Sequence, residues 1–344
     1  MKKNAAHILD VTIRDGSYLI NHQFSLEQVA KIAKALSESG VEYAEISHGY
    51  GIGGKMMGYP GLADDDELME AARQAAPKLK IVAFISSVPQ SLPLIPGVIE
   101  YIDLARVALN LDKPEDSEKL INKLKKYHKK VAVQLTRAHR RPPEIVAKIA
   151  RKAQNMGADL IYLVDTFGSM VSQDVETYLD AIKSQVQTTL GFHGHNNRGL
   201  AISNTLTAYH CGASWLDASL LGVGRGAGNA NLEALVSLLH AQKQCEKIQL
   251  EELTRITQQI IFPLFGAVPY SNLMDILLAE EKLDYSTPTH LELFSGLSGI
   301  SPQTYLSELH RKVGRALELQ DQHIEALFQD LGMNFSKIKK KLFG

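Results

Sequence analysis

The sequence predicts a (β/α)8 TIM barrel of the α/β class, followed by a small helical C-terminal extension. Short apolar segments alternate eight times with segments whose apolar residues recur every three or four positions, the pattern of strands alternating with amphipathic helices. Near-continuous apolar strands separated by helices are typical of a parallel sheet buried on both faces. The eight units extend from residue 8 to about residue 244, and a barrel of this kind commonly occupies ~250 residues.

The predicted strands are short, and a predicted helix separates each strand from the next. In chain order they cover residues 8–12, 43–47, 81–85, 101–107, 131–135, 160–164, 189–192 and 215–218. Several helices end on a glycine, the usual left-handed cap, before the next strand; examples are Gly40, Gly157 and Gly212. An open doubly wound sheet is the alternative. It is disfavoured because Arg-Asp-Gly-Ser, and not a glycine-rich phosphate-binding turn, follows the first strand.

The alternation of strand and helix ends near residue 245. We therefore expect a barrel domain over residues 1–245 and a mostly helical extension over residues 246–344. Within the extension, residues 250–264 and 302–342 have helical patterns, and residues 269–301 are expected to be irregular. A cap on the bottom of the barrel, an oligomer contact and a lid are all compatible with this pattern.

Composition and charge exclude several functional classes. Hydrophobic residues make up 45% and charged residues 22% of the 344 residues, which is ordinary for a globular protein. The formal net charge of -1 gives no expectation of nucleic acid or an anionic membrane as a partner. The sequence has no signal-peptide pattern and no apolar stretch long enough to span a membrane. Two cysteines, Cys211 and Cys245, imply no disulfide framework, so we expect a cytoplasmic protein.

Three residues after predicted strands form a candidate metal site. Asp15 follows the first strand, and His193 and His195 follow the seventh. The two histidines are separated by one residue, so their side chains point to the same side of an extended chain. One carboxylate and two imidazoles suit Mn²⁺, Mg²⁺ or Zn²⁺. The carboxyl ends of barrel strands are where this fold places its chemistry.

Other polar residues at the same rim are candidates for binding a substrate. Arg14 adjoins Asp15, where a fixed positive charge can stabilise an enolate oxygen. Thr166, after the sixth strand, offers a hydroxyl and a backbone N–H to a carboxylate, or else caps the following helix. The glycine-rich loop 222–229 is either a flexible turn or backbone packed tightly against the metal site, with Asn229 as an outer or fourth ligand. These features favour a metal-dependent lyase or aldolase that acts on an oxo acid.

Three motifs resemble those of the DRE-TIM metallolyases. They are residues 10–16 (Asp-Val-Thr-Ile-Arg-Asp-Gly), 193–197 (His-Gly-His-Asn-Asn) and 224–229 (Gly-Arg-Gly-Ala-Gly-Asn). The resemblance covers residues 8 to about 240 and is strongest to the pyruvate-specific class II aldolases of that family. It implies that Asp15, His193 and His195 bind a divalent ion, usually Mn²⁺. It further implies that Arg14 stabilises the enolate oxygen of pyruvate and that Thr166 contacts the carboxylate.

The chain departs from the family pattern in its proton-transfer residues. The family's catalytic histidine corresponds to Tyr18 here, and residues 296–301 lack both tyrosines of the matching family segment. Tyr18 ionises near pH ~10 in its ordinary state, so it acts as a base only if the metal or Arg14 lowers its pKa. His22 and His48 are alternative proton carriers.

The motifs and the departures from the family pattern leave three functional hypotheses. The first is an aldolase that cleaves or forms a 4-hydroxy-2-oxo acid from pyruvate and an aldehyde through a metal-bound enolate. The second is a Claisen-type acyl-CoA enzyme, disfavoured because Ser17-Tyr18 replaces the usual Glu-Gln and neither cysteine lies in loop 222–229. The third is a non-catalytic descendant. The resemblance also implies an acylating aldehyde dehydrogenase subunit as a partner, and helical extensions of barrels suggest a homo-oligomer.

Overall fold

The barrel predicted from the sequence is present. The computed structural model describes residues 5–283, 301–313 and 329. Eight parallel strands form a closed barrel in which each strand pairs with its neighbours in sequence order and β8 pairs with β1. The strands are β1 His7–Asp10, β2 Tyr43–Glu45, β3 Lys80–Ser86, β4 Leu104–Leu109, β5 Lys130–Leu135, β6 Leu160–Asp165, β7 Thr189–Gly194 and β8 Trp215–Ala218.

Helices follow the strands, and their ends match the capping chemistry of the sequence. At the start of α2, for example, Ser25 and Gln28 form a reciprocal capping box. The helices are α1 Thr12–Gly16, α2 Leu26–Glu38, α3 Asp65–Ala75, α4 Ile95–Val98, α5 Glu118–Lys126, α6 Pro143–Asn155, α7 Ser172–Lys183, α8 Ala201–His210, α9 Leu232–His240, α10 Leu250–Ile256, α11 Phe262–Phe265, α12 Leu273–Glu281 and α13 Pro302–Val313. None of the described helices is both long and apolar enough to cross a membrane.

The first strand ends two residues earlier than predicted. The backbone N–H and the hydroxyl of Thr12 donate hydrogen bonds to the Asp10 carboxylate, at 3.0 and 2.7 Å. These bonds turn the chain into the short helix α1 immediately after β1. The helix carries both Arg14 and Asp15 at the carboxyl rim of the barrel.

The interior of the barrel has an apolar layer and a polar layer. The apolar layer includes Leu9, Val82, Leu104, Ala132 and Leu160, which form a cluster separate from the core between sheet and helices. Because side chains alternate along a strand, inward-facing positions recur every second residue. Nearer the carboxyl ends, four strands place a buried polar residue on this inner face: Glu45, Arg106, Gln134 and Asp217.

Residues 271–283 of the C-terminal extension, which include α12, lie at the rim that carries the site. Arg140, after β5, donates to the Lys282 carbonyl at 2.8 and 2.6 Å. Ser271 donates to the Asn196 carbonyl at 2.7 Å. These bonds dock residues 271–283 on the loops after β5 and β7, not on the bottom of the barrel.

One expectation for the extension was wrong. Residues 269–301 were expected to be irregular, yet α12 forms within them because Asn272 and Asp275 build a capping box. The predicted match at residues 296–301 falls, except for Ser301, outside the described residues. The domain boundary at residue 245 stays a prediction.

Candidate metal centre and active site

The three predicted metal ligands meet at the carboxyl rim of the barrel. Asp15 lies in α1, His193 near the end of β7, and His195 directly after that strand. All three are buried, and one ligand atom of each lies within 4.8 Å of the others. The close approach follows from the topology, because β7 is separated from β1 only by β8. Asp15 and His193 are 178 positions apart in the sequence, yet they belong to one site.

The surroundings of the two histidines leave each with a nitrogen suited to a metal. His193 Nδ1 donates to Asp217 Oδ2 at 2.9 Å, and His195 Nδ1 lies 3.3 Å from the Gly228 carbonyl oxygen. Metal-binding histidines commonly donate their second ring nitrogen to a carboxylate or a backbone carbonyl. These bonds therefore fix tautomers in which Nε2 carries the lone pair.

Asn229 adds a second observation that fits a divalent ion. Its Nδ2 donates to Asp15 Oδ2 at 2.8 Å and to the Val223 carbonyl at 3.0 Å. Its Oδ1 is buried and has no hydrogen-bond partner in the described part of the chain. A buried acceptor beside a carboxylate and two imidazoles completes a donor set that fits a divalent metal.

The glycine-rich loop brings Asn229 to this position only because position 224 has no side chain. A Cβ at Gly224 would lie 2.3 Å from Asn229 Nδ2 and 3.0 Å from Asp15 Oδ2. The first contact is too short for a methyl group, and the second is tight enough that the Asp15 carboxylate would have to shift. The backbone of the loop therefore packs directly against the candidate ligands.

The charges of the site hold its ligands in the forms that bind metal. Burial opposes ionisation of Asp15, but the charges of Arg14, His195 and His193 outweigh it and keep the pKa of Asp15 below its ordinary value. Burial lowers the pKa of His195 to about 3, against the attraction of Asp15. The protein thus provides a carboxylate and a neutral imidazole at neutral pH, as metal binding requires.

Arg14 is held rigidly beside the candidate metal ligands. Its Nη1 donates to Asp15 Oδ1 at 2.6 Å, and its Nε donates to Glu45 Oε2 at 2.7 Å. Its guanidinium carbon lies 4.8 Å from the centre of the Phe84 ring. Nη2 has no hydrogen-bond partner among the described residues, so both of its protons remain for a substrate oxygen.

Tyr18 lies near the site in a protonated form. Its hydroxyl donates to the Gly49 carbonyl at 3.3 Å, and its ring centre lies 4.7 Å from that of His22. Burial raises the pKa of Tyr18 despite the charges of Arg225 and Arg14. A role as a base requires a lowered pKa, whereas the surroundings of Tyr18 raise its pKa.

The two histidines proposed as alternative proton carriers differ in how they are held. His22 Nδ1 lies 2.8 Å from Ser17 Oγ, whose own proton goes to the Arg14 carbonyl. His22 therefore donates through Nδ1 and keeps its lone pair on Nε2. Burial and His48 lower the pKa of His22 to about 4. In His48, both ring nitrogens have backbone partners, at 2.7 Å to the Pro60 carbonyl and 3.2 Å to the Tyr50 N–H.

Thr166 directly follows β6 and does not cap a helix, since α7 begins only at Ser172. Its hydroxyl oxygen accepts the Arg137 backbone N–H at 2.8 Å, and its proton remains available to a carboxylate. Arg225 donates to the Thr166 carbonyl at 3.1 Å. Its charge acts on the pKa values of Asp15, Tyr18 and His195.

The sequence interpretation did not assign roles to Glu45, Asp217 and Arg225. Glu45 and Asp217 orient Arg14 and His193 from inside the barrel. A charged residue within a short apolar strand was the available indication, because such a residue is rarely buried without a partner. Arg225 is the single charged residue of loop 222–229.

Known proteins resemble this chain over most of its length. A model of the HMGL-like family matches residues 5–92 and 107–260. The 4-hydroxy-2-oxovalerate aldolase of Thermus thermophilus is 33% identical over 308 residues, covering 89% of this chain and 89% of that protein. The oxaloacetate decarboxylase of Mycobacterium tuberculosis is 30% identical over 318 residues, covering 91% of this chain and 94% of that protein.

A solved structure supports the architecture alone. The carboxyl transferase domain of Rhizobium etli pyruvate carboxylase superposes with a TM-score of 0.77 at 15% identity, covering 95% of this chain and 61% of that chain. The residues matched by the family model include all three motifs, and the two sequence relatives each cover about nine tenths of the chain. The family expected from those motifs is thereby confirmed: the chain belongs to the HMGL-like family of DRE-TIM metallolyases.

Proposed function

We propose that the protein is a divalent-metal-dependent aldolase of the pyruvate type, a carbon–carbon lyase. It would cleave a 4-hydroxy-2-oxo acid to pyruvate and an aldehyde, or form that acid from them. The observation that carries the proposal is the meeting of Asp15, His193 and His195 beside the unpaired Nη2 of Arg14. Relatives named 4-hydroxy-2-oxovalerate aldolase support the substrate class.

The metal and Arg14 have complementary tasks in this proposal. Asp15, His193 and His195 would hold the ion, with Asn229 beside them, and Mn²⁺ is our first choice ahead of Mg²⁺ and Zn²⁺. A divalent ion in such a site supplies Lewis-acid polarisation of a keto oxygen. Arg14 offers its free Nη2 protons to the oxygen on which negative charge develops. Thr166 would bind the carboxylate of the oxo acid through its hydroxyl.

Proton transfer is assigned to Tyr18 and His22. Cleavage removes the proton of the C4 hydroxyl, breaks the C3–C4 bond, and returns a proton to C3 to give the methyl group of pyruvate. The raised pKa of Tyr18 suits a proton donor, and His22, whose ring centre lies 4.7 Å from that of Tyr18, would accept a proton through its Nε2 lone pair. His48, at 4.4 Å from His22 between ring centres, would support that ring rather than carry the proton.

Decarboxylation of a β-carboxylated oxo acid such as oxaloacetate is the second candidate. Loss of CO₂ leaves the same enolate and involves no hydroxyl proton, so it needs no general base. The protonated state of Tyr18 favours such a reaction, and a relative named oxaloacetate decarboxylase supports it. Arg225, whose charge acts on the pKa of Asp15, is placed to attract a second carboxylate.

A substrate comparison tests the proposal. Purified protein with Mn²⁺ or Mg²⁺ is assayed for pyruvate release from 4-hydroxy-2-oxo acids of increasing chain length and from oxaloacetate. The Asp15→Asn variant is the control for metal-independent breakdown of these acids. We expect metal-dependent cleavage of a hydroxy acid. Release from oxaloacetate alone would transfer the assignment to decarboxylation, and thiol release from acetyl-CoA with a 2-oxo acid would transfer it to the Claisen-type class.

We further propose that the protein assembles with an acylating aldehyde dehydrogenase subunit, forms a homo-oligomer and is located in the cytoplasm. Co-purification with that dehydrogenase and the mass of the particle in solution test the first two.

A further inference from the structure

Arg106 lies in the middle of β4, inside the barrel, and contacts two carboxylates from different strands. Its Nη1 donates to Glu45 Oε1 at 3.0 Å, and its Nη2 donates to Asp217 Oδ2 at 2.5 Å. A third bond joins Nη2 to Gln134 Oε1 at 2.9 Å. The side chain is fully buried, with its guanidinium carbon 4.6 Å from the centre of the Tyr162 ring.

Each of those carboxylates also binds a residue of the candidate active site. The second oxygen of Glu45 accepts from Arg14 Nε at 2.7 Å. Asp217 Oδ2 accepts from His193 Nδ1 at 2.9 Å. A continuous buried chain of ion pairs and hydrogen bonds therefore joins the oxyanion donor to a metal ligand, with Arg106 at its centre.

Geometry explains why an arginine occupies this position. Glu45 belongs to β2 and Asp217 to β8, which lie on opposite sides of β1 in the barrel. A planar guanidinium presents donors in two directions and can bind both carboxylates at once, whereas an ammonium group is a single point charge. Without Arg106, Glu45 and Asp217 would each keep one cationic or imidazole partner and would be free to shift toward it.

We propose that Arg106 is a positioning residue that sets two parts of the site at once. Through Asp217 it fixes the ring of His193 for metal binding, and through Glu45 it fixes the guanidinium of Arg14 for the substrate oxygen. The part that concerns Arg14 rests on the proposed aldolase function. The part that concerns His193 does not, because metal binding is measured without any substrate.

The proposal predicts a separation of effects among three variants. Asp217→Asn should weaken Mn²⁺ binding about 10- to 100-fold, the usual effect of losing a carboxylate behind a metal-binding histidine. Glu45→Gln should leave Mn²⁺ affinity close to that of the native protein and lower turnover of pyruvate-forming substrates. Arg106→Lys, which keeps the charge but loses the second donor arm, should show both defects in weaker form.

The measurement is Mn²⁺ titration followed by electron paramagnetic resonance of the free ion, with metal-dependent turnover assayed on the same samples. Arg106→Met is included, and circular dichroism reports whether each variant folds. Arg73→Met is the matched control. Arg73 also forms an ion pair, with Asp103 at a distance of 2.6 Å, but this pair contacts none of the site residues. We expect it to change stability without changing Mn²⁺ affinity.

The outcomes separate positioning from simple charge neutralisation. Weaker Mn²⁺ binding by folded Arg106→Lys and Asp217→Asn, with native affinity in Glu45→Gln and Arg73→Met, supports the proposal. Native Mn²⁺ affinity in folded Arg106→Lys overturns it, whatever Asp217→Asn shows. If Arg106→Met does not fold, those two variants decide. If the native protein turns over none of the proposed substrates but the Arg106→Lys and Asp217→Asn variants bind Mn²⁺ more weakly than it does, the aldolase assignment is rejected and the metal-positioning role of Arg106 is retained.

Discussion

The Tyr18→Phe variant removes one hydroxyl from the candidate site and keeps the aromatic ring. The rings of His22 and Tyr50 lie 4.7 and 5.2 Å from that of Tyr18 between centres, and neither contact needs the hydroxyl. The hydrogen bond that is lost, to the Gly49 carbonyl, is 3.3 Å long. We therefore expect the free energy of unfolding to fall by about 1 kcal/mol or less, with metal affinity unchanged.

Turnover should respond far more strongly than stability. A positioned proton donor contributes about 10²- to 10⁴-fold to the rate, equivalent to about 3–5 kcal/mol of activation free energy. Because burial raises the pKa of Tyr18, the donor form persists across neutral and mildly alkaline pH. The rate of the native protein should therefore show no increase with pH that depends on ionisation of Tyr18.

The assay is the initial rate of pyruvate release from a 4-hydroxy-2-oxo acid, from about pH 6 to about pH 9, below the ordinary ionisation of tyrosine. Tyr59→Phe is the matched control, since Tyr59 stacks on Tyr50 in the same aromatic group but is 39% exposed. Unchanged turnover in Tyr18→Phe would remove Tyr18 from proton transfer. A rate that rises with pH in the native protein and loses that rise in Tyr18→Phe would show that Tyr18 is a base.

Three further perturbations follow from the geometry of the site. Gly224→Ala should weaken Mn²⁺ binding while preserving the fold, because the added Cβ would lie 2.3 Å from Asn229 Nδ2; native affinity in a calorimetric titration would contradict this. Mn²⁺ at 100 times its dissociation constant should raise the free energy of unfolding by about 2.7 kcal/mol, and Asp15→Asn should abolish that increase in chemical denaturation. The folded-state pKa of His22 is depressed to about 4, so the unfolded chain binds a proton there between about pH 6.5 and about pH 4 and the folded protein does not. Stability of the metal-free protein should fall as pH is lowered through that window, and urea unfolding should show a smaller fall in His22→Gln.

Much of the fold could be predicted because strand and helix periodicity is local. The eighth strand was predicted at its observed limits, Trp215–Ala218. Predicted strand boundaries were wrong where a side chain changes the direction of the backbone. Asp10 does so by accepting two hydrogen bonds from Thr12. Helix α12 was missed because its start depends on the cap formed by Asn272, which outweighs the irregular composition around it.

The candidate site was partly predictable for the same reason. Asp15 and His195 follow strands, His193 lies near the end of one, and the closed barrel brings strand ends together. The link from Glu45 through Arg106 to Asp217 was not predictable, because it depends on which strand positions face inward and how far the barrel spreads them. The protonation state of Tyr18 depends on burial, which the sequence does not specify.

Hydrogen–deuterium exchange of pyruvate tests the central claim most directly. Pyruvate is incubated in D₂O with the protein and Mg²⁺, and loss of its methyl signal is followed by proton nuclear magnetic resonance; Mn²⁺ replaces Mg²⁺ in samples that are quenched and freed of metal before recording. Asp15→Asn is the control. Our account predicts metal-dependent exchange in the native protein and none in Asp15→Asn, because the site makes the enolate without needing the aldehyde. Absence of exchange with either metal would contradict the assignment of a pyruvate enolate to this site.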